Sequence, residues 1–176
     1  MSLNKYFKGA LTYEDYIDLL EKNLTLHQLH YKKFTISDEW LKEIILLNSY
    51  QVLVITEPWC GDSLALLPVV RKICEARSDW ELKIILRDKN PELIDQYLTN
   101  GARAIPIFLF LDQKGDLILK WGPRPQLAQE IFENHREQIN AGQIEKKEVI
   151  KKILTFYAKN RGEAAYKELM QKFSEL

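Results

Sequence analysis

Hydrophobic positions along the chain first recur at helical intervals. Between Thr12 and Asn23 the apolar side chains are Tyr13, Tyr16, Ile17 and Leu20, continuing to Leu24, and this spacing predicts a helix. Thr12 with Asp15 has the form of a capping pair at its start. A second helical pattern covers Thr25 to Phe34. A third begins at Ser37, whose hydroxyl can cap a run with Trp40, Leu41, Ile44 and Ile45 on one face.

The texture changes at Gln51. Gln51 to Thr56 is a short β-branched apolar run without alternation, which predicts a strand buried on both faces and ending at Glu57-Pro58. A helix from about Asp62 to Ala76, a strand from Glu81 to Leu86 and a helix from Pro91 to about Leu98 follow. Two more strands, Ile107 to Leu111 and Leu117 to Trp121, flank Asp112-Gln-Lys-Gly-Asp116, which has hairpin-turn chemistry. Beyond Gly122, Pro123 and Pro125, helices are expected over Gln126 to Ile139, Ile144 to Tyr157 and Glu163 to Phe173. The β-α-β-α-β-β-α order calls for an α/β fold of three layers, a mixed central sheet with helices on both faces. Helical extensions flank it at both ends, and the expectation is one domain over residues 1–176, with a core of about 51–139 and extensions 1–50 and 140–176.

Composition adds exclusions. With 25 Lys and Arg against 25 Asp and Glu, the formal net charge is zero, so no broad attraction to nucleic acid or an anionic membrane is implied. No apolar run reaches the ~18 residues of a membrane span, and the N-terminal segment carries charges at Lys5, Lys8, Glu14, Asp15 and Asp18. A cytoplasmic location is the resulting expectation. Two cysteines are too few for a disulfide scaffold or a thiolate zinc site.

Those two cysteines differ in placement. Cys60 falls where the first buried strand gives way to a helix, so its sulfur faces unpaired backbone N–H groups and the positive end of the helix dipole. Thiols so placed have pKa values of roughly 3.5–7.5 rather than about 8.5. Asp62 opposes that shift and the Ser63 hydroxyl favours it, so a lowered pKa is expected. Cys74 lies fourteen residues further along the same expected helix. At 1.5 Å per residue that is about 21 Å, against about 7 Å for a disulfide, so no Cys60–Cys74 bond can form in the helix. Cys74 falls with Leu67, Val70 and Ile73 and reads as a small buried hydrophobe.

Ala104-Ile105-Pro106-Ile107 places a proline at the start of an apolar strand, where a cis bond is tolerated and would leave backbone groups for an extended partner. Together, Trp59-Cys60-Gly61-x-Ser63 after a buried strand, Gly101 to Pro106, Phe108-Leu-Phe110 and Lys120-Trp121-Gly122 resemble the thioredoxin superfamily over roughly Gln51 to Ile139. Trp59-Cys-Gly-Asp62-Ser63 with Lys120 to Pro125 and the helical N-terminal extension is also similar to a branch of bacterial thioredoxin-like proteins, mostly uncharacterised. The resemblance implies a thioredoxin-like fold, with Cys60 as an exposed nucleophile, Trp59 as its shield and Pro106 as a cis proline facing the sulfur. It further implies that Gly122 belongs to a loop lining a substrate groove. Gly61, Asp62, Ile105 and Arg124 join Trp59 and Gly122 as the implied substrate-binding set. The chain departs from the family where the second cysteine is Ser63 and where the buried carboxylate serving that thiol is Val54.

Thiol–disulfide exchange runs through a mixed disulfide. With Ser63 in the resolving position, release must come from an external thiol or a cysteine of the partner. Monothiol exchange, including deglutathionylation or isomerisation, is therefore one expected activity; peroxide reduction through a Cys60 sulfenic acid is another. The partners would be protein disulfides or small thiols such as glutathione, with no cofactor, metal, nucleic acid or membrane. The alternative class is a non-catalytic thioredoxin-like binding module, in which the groove near Trp59, Pro106 and Trp121 grips a partner and the sulfur is incidental. Arg124 is either an anion-pairing group or an exposed loop cation, and Arg103 carries the same two readings. His27 and His30 lack a third ligand, His135 stands alone, and the run from Glu145 to Lys152 reads as a solvated helix face. Tyr13, Tyr16, Trp40, Tyr157, Tyr166 and Phe173 are expected between flanking helices and sheet.

Overall fold

The computed structural model describes residues 2–176. A short helix, α1 (Asn4–Gly9), leads into a two-residue strand, β1 (Leu11–Thr12), followed by α2 (Tyr13–Asp18), α3 (Leu24–Lys33) and α4 (Asp38–Ile45). The alternating segment comprises β2 (Gln51–Thr56), α5 (Gly61–Glu75), β3 (Glu81–Leu86), α6 (Pro91–Ile94), β4 (Ile107–Leu111) and β5 (Leu117–Trp121). Four helices complete it: α7 (Gln126–Glu133), α8 (Arg136–Asn140), α9 (Lys146–Asn160) and α10 (Glu163–Ser174).

The sheet order is β1-β3-β2-β4-β5. β2 pairs in parallel with β3 and antiparallel with β4, and β4 pairs antiparallel with β5, as the alternation and the hairpin turn require. Both faces of β2 are buried. Val52 and Val54 point into a core shared with α5, Ile153 and Leu169, whereas Leu53 and Ile55 join Phe7, Leu93 and Ile94 on the opposite side. The unbroken apolar run Val52–Ile55 in β2 follows from this double burial. Helix α5 runs through Pro68, which removes one helical hydrogen bond, and ten of its residues are buried. Burial of that extent holds the helix where local propensity does not.

The extensions dock by aromatic contacts. Trp40 stacks on Tyr166 with ring centroids 4.0 Å apart, and the Tyr166 hydroxyl donates to Glu43 Oε2 at 2.7 Å, so α4 and α10 hold each other across the front of α5. Tyr50 stacks on Phe173 at 5.3 Å. Cys74 is buried in the same core as Leu67, Val70 and Ile73, and burial pushes its thiol far above the ordinary range.

The boundaries differ from the periodicity in physical detail. The capping box Thr12–Asp15 forms, but α2 ends at Asp18 because Glu21 takes a φ of 46° and starts a tighter turn, Glu21–Asn23. Helix α6 stops at Ile94, where polar Asp95 and Gln96 offer no further buried face. The helix expected over Gln126 to Ile139 is broken at His135, whose φ of −113° and ψ of 1° leave the helical region. Strand β1, which pairs Leu11 with Ile84 on the outer edge of β3, is too short to leave an alternation in sequence.

Gly162, with φ 87°, joins α9 to α10 where an added Cβ would lie 2.6 Å from Val69 Cγ2 and 2.9 Å from Phe34 Cδ2. Gly162→Ala should therefore lower stability by about 2–4 kcal/mol, from left-handed backbone strain plus overpacking. Gly142→Ala, at a φ of 70° but with nothing within 4 Å, should lose only the backbone part, about 1 kcal/mol. Urea unfolding of the two variants measures the difference.

Candidate functional site

Glu57-Pro58-Trp59 carries the chain out of β2 so that Cys60 becomes the N-cap residue of α5. Its backbone N–H donates to the Glu57 carbonyl at 3.1 Å, and its carbonyl accepts from Leu64 N–H at 3.1 Å. The sulfur points across to the loop before β4, where the Cys60 thiol donates to the Ile105 carbonyl at 3.5 Å. The Ile105–Pro106 peptide is cis, and so is Gly122–Pro123. Gly122 reaches a φ of 113° there, and a Cβ would collide with the Pro106 carbonyl oxygen, so only glycine lets the end of β5 lie against this loop.

The sulfur is not exposed: Cys60 retains 6% of its accessible surface. The expected lowering of its pKa is also reversed. Burial raises the thiol above its ordinary value, and Asp62 adds to that, while the Ser63 hydroxyl and the N–H groups of the first turn pull the other way without prevailing. Donation to the Ile105 carbonyl favours the protonated form as well, because a thiolate would face that oxygen unbonded. Asp62 and Ser63 act with the expected signs, and desolvation by burial outweighs the groups that favour the thiolate.

Ser63 is fully buried, and its hydroxyl shares a hydrogen bond with that of Thr56 on β2. Val54, also on β2, is fully buried among apolar side chains. Trp59 lies open to solvent at 58% exposure, with the Arg87 guanidinium 5.0 Å from its ring centroid.

Asp62, in the first turn of α5, is the polar hub. Its carboxylate accepts from Arg124 Nε at 2.9 Å and from the Tyr157 hydroxyl at 2.8 Å, and Arg124 Nη2 lies 2.8 Å from its second oxygen. The two charged side chains are only 15% and 12% exposed. Burial works against the Arg124 charge, and Asp62 outweighs it, so the guanidinium is held above its ordinary value. Burial, then Asp62, holds the Tyr157 hydroxyl protonated. Arg124 is not an exposed loop cation: it is the largely buried half of an ion pair with Asp62, and it lines the groove beside the sulfur. Arg103 is exposed and pairs with Asp95 at 2.6 Å.

A groove of about 550 Å³ opens beside the sulfur. Trp59, Cys60, Gly61, Asp62, Ile105 and Arg124 line it, whereas Ser63 and Pro106 do not. Gly122 lines an adjacent cleft of about 270 Å³ instead. The far wall comes from α7, α8 and α9, through Phe132, Arg136, Lys146 and Ile150. Lys146 belongs to the run taken for a purely solvated face, and one of its cations instead borders the groove. Thr56, Tyr157 and the cis bond at Pro123 are the parts of the site that sequence reasoning missed. His27 is buried, with Nε2 2.6 Å from the Tyr13 hydroxyl, and burial lowers its pKa to about 4. Among the described residues no group of three or more His, Cys, Asp or Glu side chains is placed to hold a metal, and no helix is long and apolar enough to cross a membrane.

A family model described as thioredoxin matches residues 10–140. A crystal structure of a protein of unknown function from Pseudomonas aeruginosa superposes with a TM-score of 0.67 at 20% identity, covering 88% of this chain and 96% of that one. An HIV epitope scaffold superposes with a TM-score of 0.66 at 21% identity, covering 74% and 82%. No curated protein matches the sequence. The two superpositions establish a shared fold; the model match takes in α2, α3 and α4 as well as the sheet.

The geometry makes two measurable statements. Iodoacetamide modification of Cys60 should keep accelerating with pH past about 8.5, the ordinary thiol value, without levelling there. Asp62→Asn removes a carboxylate that raises the thiol and leaves Arg124 uncompensated, so it should speed modification at pH 7 several-fold while costing about 2–3 kcal/mol of stability. Rate–pH profiles of both proteins check the sign.

Proposed function

The chain belongs to the thioredoxin family, and from that premise we propose that it is a monothiol redox protein that forms mixed disulfides through Cys60 and is released by an external thiol. The observation that carries the reading is the pairing of a helix-capping sulfur, 3.5 Å from the carbonyl before cis Pro106, with a hydroxyl at the resolving position already engaged by Thr56. On this reading the chain falls in the branch that carries Trp59-Cys-Gly-Asp-Ser63 and Lys120 to Pro125. It works as one domain in a reducing cytoplasm that supplies the releasing thiol.

The Cys60 thiolate attacks one sulfur of a disulfide; the Sγ–S bond forms, the S–S bond breaks and the departing thiolate keeps the electron pair. A second thiolate then attacks the mixed disulfide, leaving a new disulfide and regenerating Cys60. A raised pKa slows the first step, because loss of thiolate outweighs the gain in nucleophilicity by roughly three- to fourfold per unit. It also makes Cys60 a poor leaving group, so the adduct persists. Slow capture with slow release suits deglutathionylation or isomerisation of selected partners better than general disulfide reduction.

The 6% exposure of Cys60 favours a second reading, a binding module in which the sulfur is incidental. Mass spectrometry after exposure to oxidised glutathione separates the two. The monothiol reading expects one glutathionyl group on Cys60, none on Cys60→Ser and none on Cys74 in the folded protein. Ser63→Cys should restore a resolving thiol and shorten the adduct's lifetime at least about tenfold, since the second attack becomes intramolecular. An unmodified Cys60, with partner binding intact in Cys60→Ser, would establish the binding module instead.

A further inference from the structure

The groove beside Cys60 has an unbalanced charge. Arg87, Arg103, Arg124, Arg136 and Lys146 line it against one carboxylate, Asp62, in a chain whose basic and acidic residues are equal in number. Asp62 is spent on Arg124. Arg87, Arg103 and Arg136 each meet an acid, Asp88 at 2.8 Å, Asp95 at 2.6 Å and Glu133 at 2.6 Å, but none of these three acids is part of the lining. A guanidinium has five donors in one plane, so Arg103 and Arg136, each paired through Nε and Nη2, still offer Nη1, whereas Arg87 Nη1 donates to the Arg103 carbonyl at 3.2 Å. Lys146 has no ion pair or hydrogen bond among the described residues, and its Nζ lies 5.9 Å from the Phe132 ring centroid.

Shape narrows the ligand further. Cys60 lines the groove with 6% of its surface exposed, together with the loop before Pro106 and residues of α7, α8 and α9. A volume of about 550 Å³ falls within the range of small-molecule sites. With so little of the sulfur exposed, a slender disulfide reaches it more readily than one flush with a folded protein surface.

We propose that the disulfide taken by Cys60 is a small one carrying net negative charge, as carboxylates or phosphates, and that Arg136 and Lys146 are specificity-determining residues for it. This rests on the monothiol reading. Capture follows the balanced exchange above: one half of the small disulfide is bonded to Cys60, and the other leaves as a thiolate with the electron pair.

The test compares rates of Cys60 modification by oxidised glutathione, coenzyme A disulfide, neutral bis(2-hydroxyethyl) disulfide and cationic cystamine at low and high salt. At least one anionic reagent should react about tenfold or more faster than cystamine at low salt, and the gap should shrink as salt screens it. The faster of the two anionic reagents distinguishes carboxylate from phosphate. Arg136→Glu with Lys146→Glu should narrow or reverse the ratio of anionic to cationic rates, with circular dichroism reporting that the variant is folded. Lys146→Gln, at an exposed position, should act in the same direction by a smaller factor. Equal rates for anionic, neutral and cationic reagents would overturn the inference and leave the monothiol reading standing. No adduct with any of the four reagents would overturn both.

Discussion

A carboxylate withdrawn from water loses several kcal/mol of solvation unless charge-assisted partners replace it, and Asp62 sets that requirement at the first turn of α5. Its partners come from two distant places, Arg124 in the segment after β5 and Tyr157 in α9. Meeting the requirement draws the Gly122–Pro123 loop and the C-terminal extension onto the start of α5. Leu154 completes the contact, with its Cδ2 3.2 Å from where a Cβ on Gly61 would lie. One side of the groove beside the sulfur is thus assembled around the neighbouring carboxylate. The extension beyond residue 140 is part of the site, not an addition to a finished core.

This arrangement explains which features were readable from the chain alone. The strand β2, the β4–β5 hairpin and the Thr12 and Ser37 caps rest on contacts within one element or between neighbours, and composition records them directly. The position of Cys60 at a strand–helix junction is legible for the same reason. Its titration is not, because burial is supplied by residues distant in sequence, such as Leu93, Ile94 and, in the loop before Pro106, Ile105. Arg124 stayed ambiguous because its counter-charge lies 62 residues back. Lys146 was hidden in a run whose other charges do pair with one another, such as Lys151 with Glu148. Strand β1 was invisible because two residues cannot show a period of two.

The buried thiol and the filled resolving position belong together physically. A thiol meant to cycle quickly needs a stabilised thiolate and a second thiol within reach, and this site has neither. Ser63 is turned toward Thr56, and Val54 leaves no buried base beneath it. What the site retains is the backbone frame: the N-cap placement of Cys60, the cis bond at Pro106 and the close approach of Gly122 to the Pro106 carbonyl. That frame fixes where the sulfur points, while its burial favours the protonated thiol.

The two cysteines also give the chain an internal gauge. Cys60 opens onto a groove, but Cys74 sits in the main core at 3% exposure with its thiol driven far from ionisation. A reagent reaches the second sulfur only when α5 separates from the sheet, a movement that opens the centre of the molecule. The ratio of the two labelling rates on a single chain therefore reads the free energy of that opening, with Cys60 as the built-in reference.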